Sequence, residues 1–182
     1  MDLTACCAIG VDIAFDRSHT SMVYAVEEPD GRIGITLEYL EGTGTADAIA
    51  VAVQAHPALL CVVVDPVSPA ATLLEPLKAL GVVPREPATK DVALANGMFL
   101  DELTAGRLAI TDHPALSAAV QHAVPRPLAG GQAVERRKSE ADASPLTAAE
   151  FALWAMLRRP PPRPVARFID LADFDEDSDD AW

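Results

Sequence analysis

Two stretches of this chain are apolar from end to end, and each stops at an aspartate. The first runs Cys6-Cys7-Ala8-Ile9-Gly10-Val11 into Asp12, and the second runs Leu59 to Val64 into Asp65. Short apolar runs of this kind read as buried strands. The second shows no polar alternation, which predicts cover on both faces, as for a central parallel strand. Side by side, the two strands would deliver Asp12 and Asp65 to one end of a sheet. That is where ligands bind in open α/β sheets.

The segments between them supply the rest of such a sheet. Ser21–Val26 reads as a second strand. Pro29-Asp30-Gly31 is a turn, because proline presets φ and glycine accepts a positive φ. Ile33, Ile35, Leu37 and Tyr39 then alternate with Gly34, Thr36 and Glu38, the period of a half-buried strand. Thr45–Ala55 is predicted helical with Thr45 as its cap, Ala70–Leu80 helical up to Gly81, and Val82-Val83 the start of a fifth strand. Further helices are expected over Asp91–Arg107, with a kink near Gly97, and after His113-Pro114. Leu108–Ile110 is a short extended piece. Residues 125–138 read as a hairpin around Gly130-Gly131. Ser144 is the predicted cap of a last helix, with Pro145 at its first position and Leu146, Ala149, Leu153, Trp154 and Leu157 as its apolar stripe. This order predicts an α/β fold with a mixed sheet of five or more strands and helices on both faces.

Composition narrows the function. The net charge is −13, which weighs against nucleic acid as a partner. Seven of the 27 acidic residues lie in 170–182, however, and the first 169 residues carry only −6. Acids gathered at a metal site are also offset when the metal binds. No apolar run has the length of a membrane span, so no membrane partner is expected. Cys6, Cys7 and Cys61 lack metal-ligand spacing and read as reduced core thiols of a cytosolic protein. The folded domain is expected over 1–159. A proline-rich linker and a disordered acidic tail are expected over 160–182.

Two strand-end carboxylates make a hard, oxygen-rich, anionic spot suited to Mg²⁺ or Mn²⁺. A third acid is needed to hold a second ion, and Asp142, just ahead of the last helix, is the candidate. Two such ions activate water and stabilise the leaving oxygen of a phosphodiester without any histidine base. His19, His56, His113 and His122 share no spacing and read as surface or cap residues. Asp16 is either an auxiliary ligand or a turn cap paired with Arg17. Arg126, Arg136, Arg137 and Lys138 lie beside the expected site and are candidate phosphate contacts.

The line Gly10-Val11-Asp12-Ile13-Ala14-Phe15-Asp16-Arg17-Ser18, then Val63-Val64-Asp65-Pro66, then Asp142-Ala143-Ser144-Pro145-Leu146 resembles the C-terminal nuclease domain of phage terminase large subunits. Glu86-Pro87-Ala88-Thr89, Asn96-Gly97-Met98-Phe99 and Gly106-Arg107-Leu108 fit the same pattern, and the resemblance covers roughly residues 6–158. It implies an RNase H-like fold with metal ligands at Asp12, Asp65 and Asp142, and Asp16 as an auxiliary. It also implies an endonuclease that cuts double-stranded DNA during genome packaging in the host cytoplasm. Its partners would be a terminase ATPase domain, the portal and the terminase small subunit. The hairpin departs from the family pattern, with Gln132 and Val134 where members carry aromatic residues. The chain contains no GxxxxGK[ST] phosphate loop, so ATP hydrolysis is not expected of it. It would be an excised domain or a separately encoded piece.

Two other readings compete. One is a non-catalytic RNase H-like module that binds DNA or a motor partner. The other is an actin-like or sugar-kinase-type phosphotransferase fragment, suggested by Asp12 followed by Arg17-Ser18-His19-Thr20, but lacking the glycine-rich phosphate loops that chemistry needs.

Overall fold

The computed structural model describes residues 6–159. The linker and tail expected over 160–182 lie outside them. The elements run β1 (Cys7–Ile13), β2 (His19–Glu27), β3 (Ile33–Glu41), α1 (Ala46–Ala55), β4 (Leu59–Val64), a 3₁₀ turn (Pro69–Leu73), α2 (Leu74–Ala79), α3 (Thr89–Thr104), β5 (Leu108–Ile110), α4 (Pro114–Gln121), β6 (Pro125–Leu128), β7 (Gly131–Val134) and α5 (Ser144–Leu157).

Five strands form one mixed sheet in the order β4-β1-β2-β3-β5. β1 is parallel to β4 and antiparallel to β2, and β3 is parallel to β5. β4 is therefore an outer strand, not the central one its apolar run predicts. Its exposed side is shortened by Arg85, whose N–H donates to the Val62 carbonyl while its own carbonyl accepts from Val64. The fifth strand expected at Val82-Val83 does not form. Val82 is buried against the core, Val83 is exposed, and pairing occurs only at the Val63–Arg85 bridge. The fifth strand is Leu108–Ile110, on the opposite edge.

Helices cover both faces, as the element order predicts. Cys7, Ile9, Val11 and Ile13 point toward α1 and α2, packing with Ile49, Leu73 and Leu77. Ala8, together with Val23, Ala25 and Ile35, faces α3, α4 and α5. The alternation follows from the two-residue period of a strand. It also puts Asp12 on the α5 face, two residues beyond Gly10.

α5 has no single apolar stripe. Every residue from Ser144 to Met156 is buried, and Leu157 alone is exposed. A helix buried all round is a core helix. Gly10 explains how closely it packs. A Cβ there would overlap the Ala148 carbonyl oxygen and stand 2.7 Å from the Ala152 nitrogen.

α3 runs unbroken through Gly97. β6 and β7 form the expected hairpin, closed by Ala129 at φ 47° and Gly130 at φ 83°, the signature of a turn matched to strand twist. Arg136, Arg137 and Lys138 follow the hairpin on a turn of their own.

Candidate active site

Asp12 and Asp65 leave the carboxyl ends of adjacent parallel strands, β1 and β4. Both side chains are buried, and Asp12 has no exposed surface. Asp65 Oδ1 accepts from the Val67 N–H at 3.0 Å, while the Ser68 hydroxyl donates to the Asp65 carbonyl, so the loop after β4 locks that side chain in place. Two carboxylates buried at neighbouring strand ends repel each other more strongly than they would in water. A buried pair of this kind needs a cation.

Arg136 supplies it. Its Nε donates to Asp12 Oδ2 at 3.0 Å, and its Nη2 lies 3.0 Å from the same oxygen and 3.9 Å from Asp65 Oδ2. The Arg136 side chain is only 16% exposed. Arg136, a candidate phosphate contact, points inward onto the acids. Burial opposes its charge, but Asp12, Asp65 and Glu150 together hold its pKa above the ordinary arginine value. Burial pushes the Asp12 carboxyl up, against the pull of Arg136 and Ser68.

Asp142 sits where α5 begins, close to the same end of the sheet. Its Oδ1 accepts from the Ser144 N–H at 2.9 Å, and its Oδ2 accepts from the Ser144 hydroxyl at 2.7 Å and the Tyr39 hydroxyl at 3.0 Å. Ser144 is thus the first helical residue, not the predicted cap, which is Ala143, and the Asp142 carboxylate takes the Ser144 N–H. Ser144 and Ser21 share a hydrogen bond of 2.8 Å, and Ser21 is paired with Asp12 across β1 and β2. A short polar chain therefore links Asp142 to the Asp12 strand. Among the described residues, no three His, Cys, Asp or Glu side chains converge closely enough to hold an ion as they stand.

Asp16 is exposed and accepts from the Ser18 N–H and hydroxyl, which lower its pKa. Arg17 is not its partner. At φ 64° the arginine turns away to the Pro69 carbonyl and the Thr72 hydroxyl. His19 stacks on Tyr39, with ring centres 4.3 Å apart. His113 and His122 cap the two ends of α4, whereas His56 is a buried residue at the end of α1, its Nδ1 2.7 Å from the Ala52 carbonyl oxygen.

Two clefts open beside the acids and share Phe15, Arg136 and Arg137. One, of about 500 Å³, also carries Arg126, Val67 and Glu135. The other, of about 260 Å³, carries Asp16, Asp142 and Glu140. Arg137 lies over the exposed Phe15 ring, 5.0 Å from its centre. Lys138 is exposed on the same turn but lines neither cleft. A larger depression, about 660 Å³, lies at the far end of β2 and β3, where Arg32 and Asp30 already pair with each other.

No protein-family model and no curated protein matches the sequence. Solved structures do. The HK97 bacteriophage large terminase superposes with a TM-score of 0.69 at 15% identity over 85% of this chain. The chain spans 40% of that terminase's length. The large terminase nuclease from thermophilic phage G20c with bound magnesium gives 0.64 at 13%, over 82% of this chain and 80% of that one. The nuclease domain of the Thermus phage P74-26 large terminase gives 0.61 at 14%, over 81% and 78%. This chain has the fold of the phage large-terminase nuclease domains. That fold is RNase H-like, the mixed five-stranded sheet the sequence predicts. At these identities the likeness extends to the fold alone.

The donors that the terminase-nuclease fold brings together suit a hard divalent cation. Asp12 Oδ1 is buried and has no hydrogen-bond partner, which is an unmet need that a cation would fill. Two further participants carry no sequence signal. Glu150, in the middle of α5, is buried and accepts from Asn96 Nδ2 of α3 at 2.7 Å. Burial raises its pKa to about 7, with Asn96 and Arg136 opposing and the Asp12 charge adding to the rise. Tyr39 looks like one of four alternating strand residues, yet its hydroxyl holds Asp142. Burial first, then the Asp142 charge, pushes that phenol up and keeps it a donor.

Proposed function

We propose that this chain is a metal-dependent endonuclease that cuts double-stranded DNA during phage genome packaging. The observation that carries the reading is the pair Asp12 and Asp65, buried together at the ends of neighbouring parallel strands. Asp12, Asp65 and Asp142 would hold two divalent cations, Mg²⁺ or Mn²⁺, with Asp16 as an auxiliary ligand. When bound, such ions make a hydroxide available at neutral pH and stabilise the leaving oxygen of a phosphodiester. The residues of the chain prepare the place. Asp65 is aimed by its hydrogen bond with the Val67 N–H, and Asp142 by Ser144 and Tyr39. Arg126, Arg137 and Lys138 offer charge to the DNA backbone, which fixes register without reading sequence. The exposed Phe15 ring beside them offers a flat apolar contact. A packaging ATPase, the portal and the terminase small subunit are the partners this function would require.

A non-catalytic DNA- or motor-binding module is the second reading, favoured by the ion pair that already neutralises Asp12. A plasmid-cleavage assay separates the two. With Mn²⁺ or Mg²⁺ the wild type should nick and linearise plasmid. EDTA or Asp12→Ala should reduce cutting at least a hundredfold while the far-ultraviolet circular dichroism stays unchanged. Folded wild type that cuts under no metal would select the binding module.

A further inference from the structure

The acid pair already has a cation of its own, and it comes from the protein. We infer that Arg136 is the resident counter-ion of the Asp12–Asp65 site, and that a divalent cation binds there only by displacing its guanidinium. The inference rests on the reading of Asp12 and Asp65 as metal ligands.

Geometry argues for a counter-ion, not a structural strut. The guanidinium stands against both carboxylates at once, with Nη2 3.0 Å from Asp12 Oδ2 and 3.9 Å from Asp65 Oδ2. That is the space a cation bridging the two acids would need. A guanidinium and a divalent ion cannot share it, because like charges repel strongly where burial keeps water out. The fit is also incomplete. Asp12 Oδ1 and Arg136 Nη2 are both buried without a hydrogen-bond partner of acceptable geometry. A strut would use its full fork, as Arg107 does on Glu102 with bonds of 2.6 and 2.7 Å.

The side chain also has somewhere to go. Arg136 stands on the turn after β7, not within a strand or helix, and it lines both clefts. Those clefts also carry Arg126 and Arg137. Inside, the buried Glu150 is the one further acid whose charge bears on it. Arg136 thus offsets one of the two acid charges while no metal is bound. Metal affinity would be weakened by the work of removing it.

Calorimetric titration of the full chain with Mn²⁺, in the absence of DNA, tests this. Wild type, Arg136→Gln and Asp12→Asn are compared. Arg136→Gln should bind Mn²⁺ at least tenfold more tightly than wild type, which corresponds to about 1.4 kcal/mol. Without metal it should melt at a lower temperature than wild type, and Mn²⁺ should raise its melting temperature more. Binding that depends on Asp12 but is equal or weaker in Arg136→Gln would overturn the inference and leave the metal site standing. If neither wild type nor Arg136→Gln takes up Mn²⁺, the metal reading fails and the counter-ion role with it. Should Arg136→Gln not fold, Arg136→Met removes the charge and keeps the apolar stem of the side chain. It should then bind Mn²⁺ more tightly than wild type, and equal or weaker binding overturns the inference in that background too.

Discussion

At the scale of single residues, the site is a set of buried charges that must be kept in balance. Arg136 offsets part of the charge of Asp12 and Asp65, but Glu150 has only the Asn96 amide as a close partner. Its carboxyl titrates near 7 in the folded chain against about 4.5 when free. The folded state therefore keeps a proton that the unfolded state releases. Stability is full below about pH 4.5 and falls as pH rises toward 7, by about 3 kcal/mol at most for a shift of this size. Glu150→Gln cannot ionise and escapes that loss. In urea unfolding without divalent metal, the variant should gain on wild type between pH 5 and pH 8. An unchanged difference across that range would mean that Glu150 is already ionised in the folded chain.

At the scale of elements, the decisive contact is α5 on β1. The helix brings Asp142 to the end of the sheet where Asp12 emerges, and it can lie that close only because Gly10 has no side chain. Gly10→Ala would force backbone away from backbone, since the obstacle is the helix itself and not a flexible side chain. We expect a loss of about 3 kcal/mol, or ~6–12 °C in Tm for a chain of this size. Cleavage should fall as well, because Asp142 moves with the helix. A melting temperature within a degree of wild type would show that α5 shifts freely. The hairpin and its following turn are the other working element. The hairpin packs on α3, and the turn after it drops Arg136 onto Asp12, more than a hundred positions upstream.

At the scale of the whole molecule, charge opposes the proposed substrate. The chain carries −13, and about half of that lies in residues 170–182. Long-range repulsion of this kind is screened over ~10 Å at 0.1 M salt. Deleting 170–182 should therefore tighten DNA binding at 50 mM salt and matter little at 300 mM, as read by fluorescence anisotropy. Equal affinities at low salt would show that the acids stay far from the bound DNA. Among the described residues, no helix is long and apolar enough to cross a membrane.

What the sequence determined by itself was local. Apolar runs, alternation and glycine or proline punctuation mark β1 to β4, the hairpin and the helices, because each depends on neighbours along the chain. The strand-end positions of Asp12 and Asp65 follow from the same signals. Strand order was a tertiary decision. β4 reads as central because its run is apolar, but helices on both faces of the sheet supply that cover, and Arg85 bridges part of its outer edge. Leu108–Ile110 becomes the fifth strand because β3 offers a free edge in register with it. The inward turn of Arg136, the hold of Tyr39 on Asp142 and the burial of Glu150 were equally out of reach of the sequence. Each pairs groups from distant parts of the chain, and only the folded sheet brings those parts within the few ångströms over which a hydrogen bond or an ion pair acts.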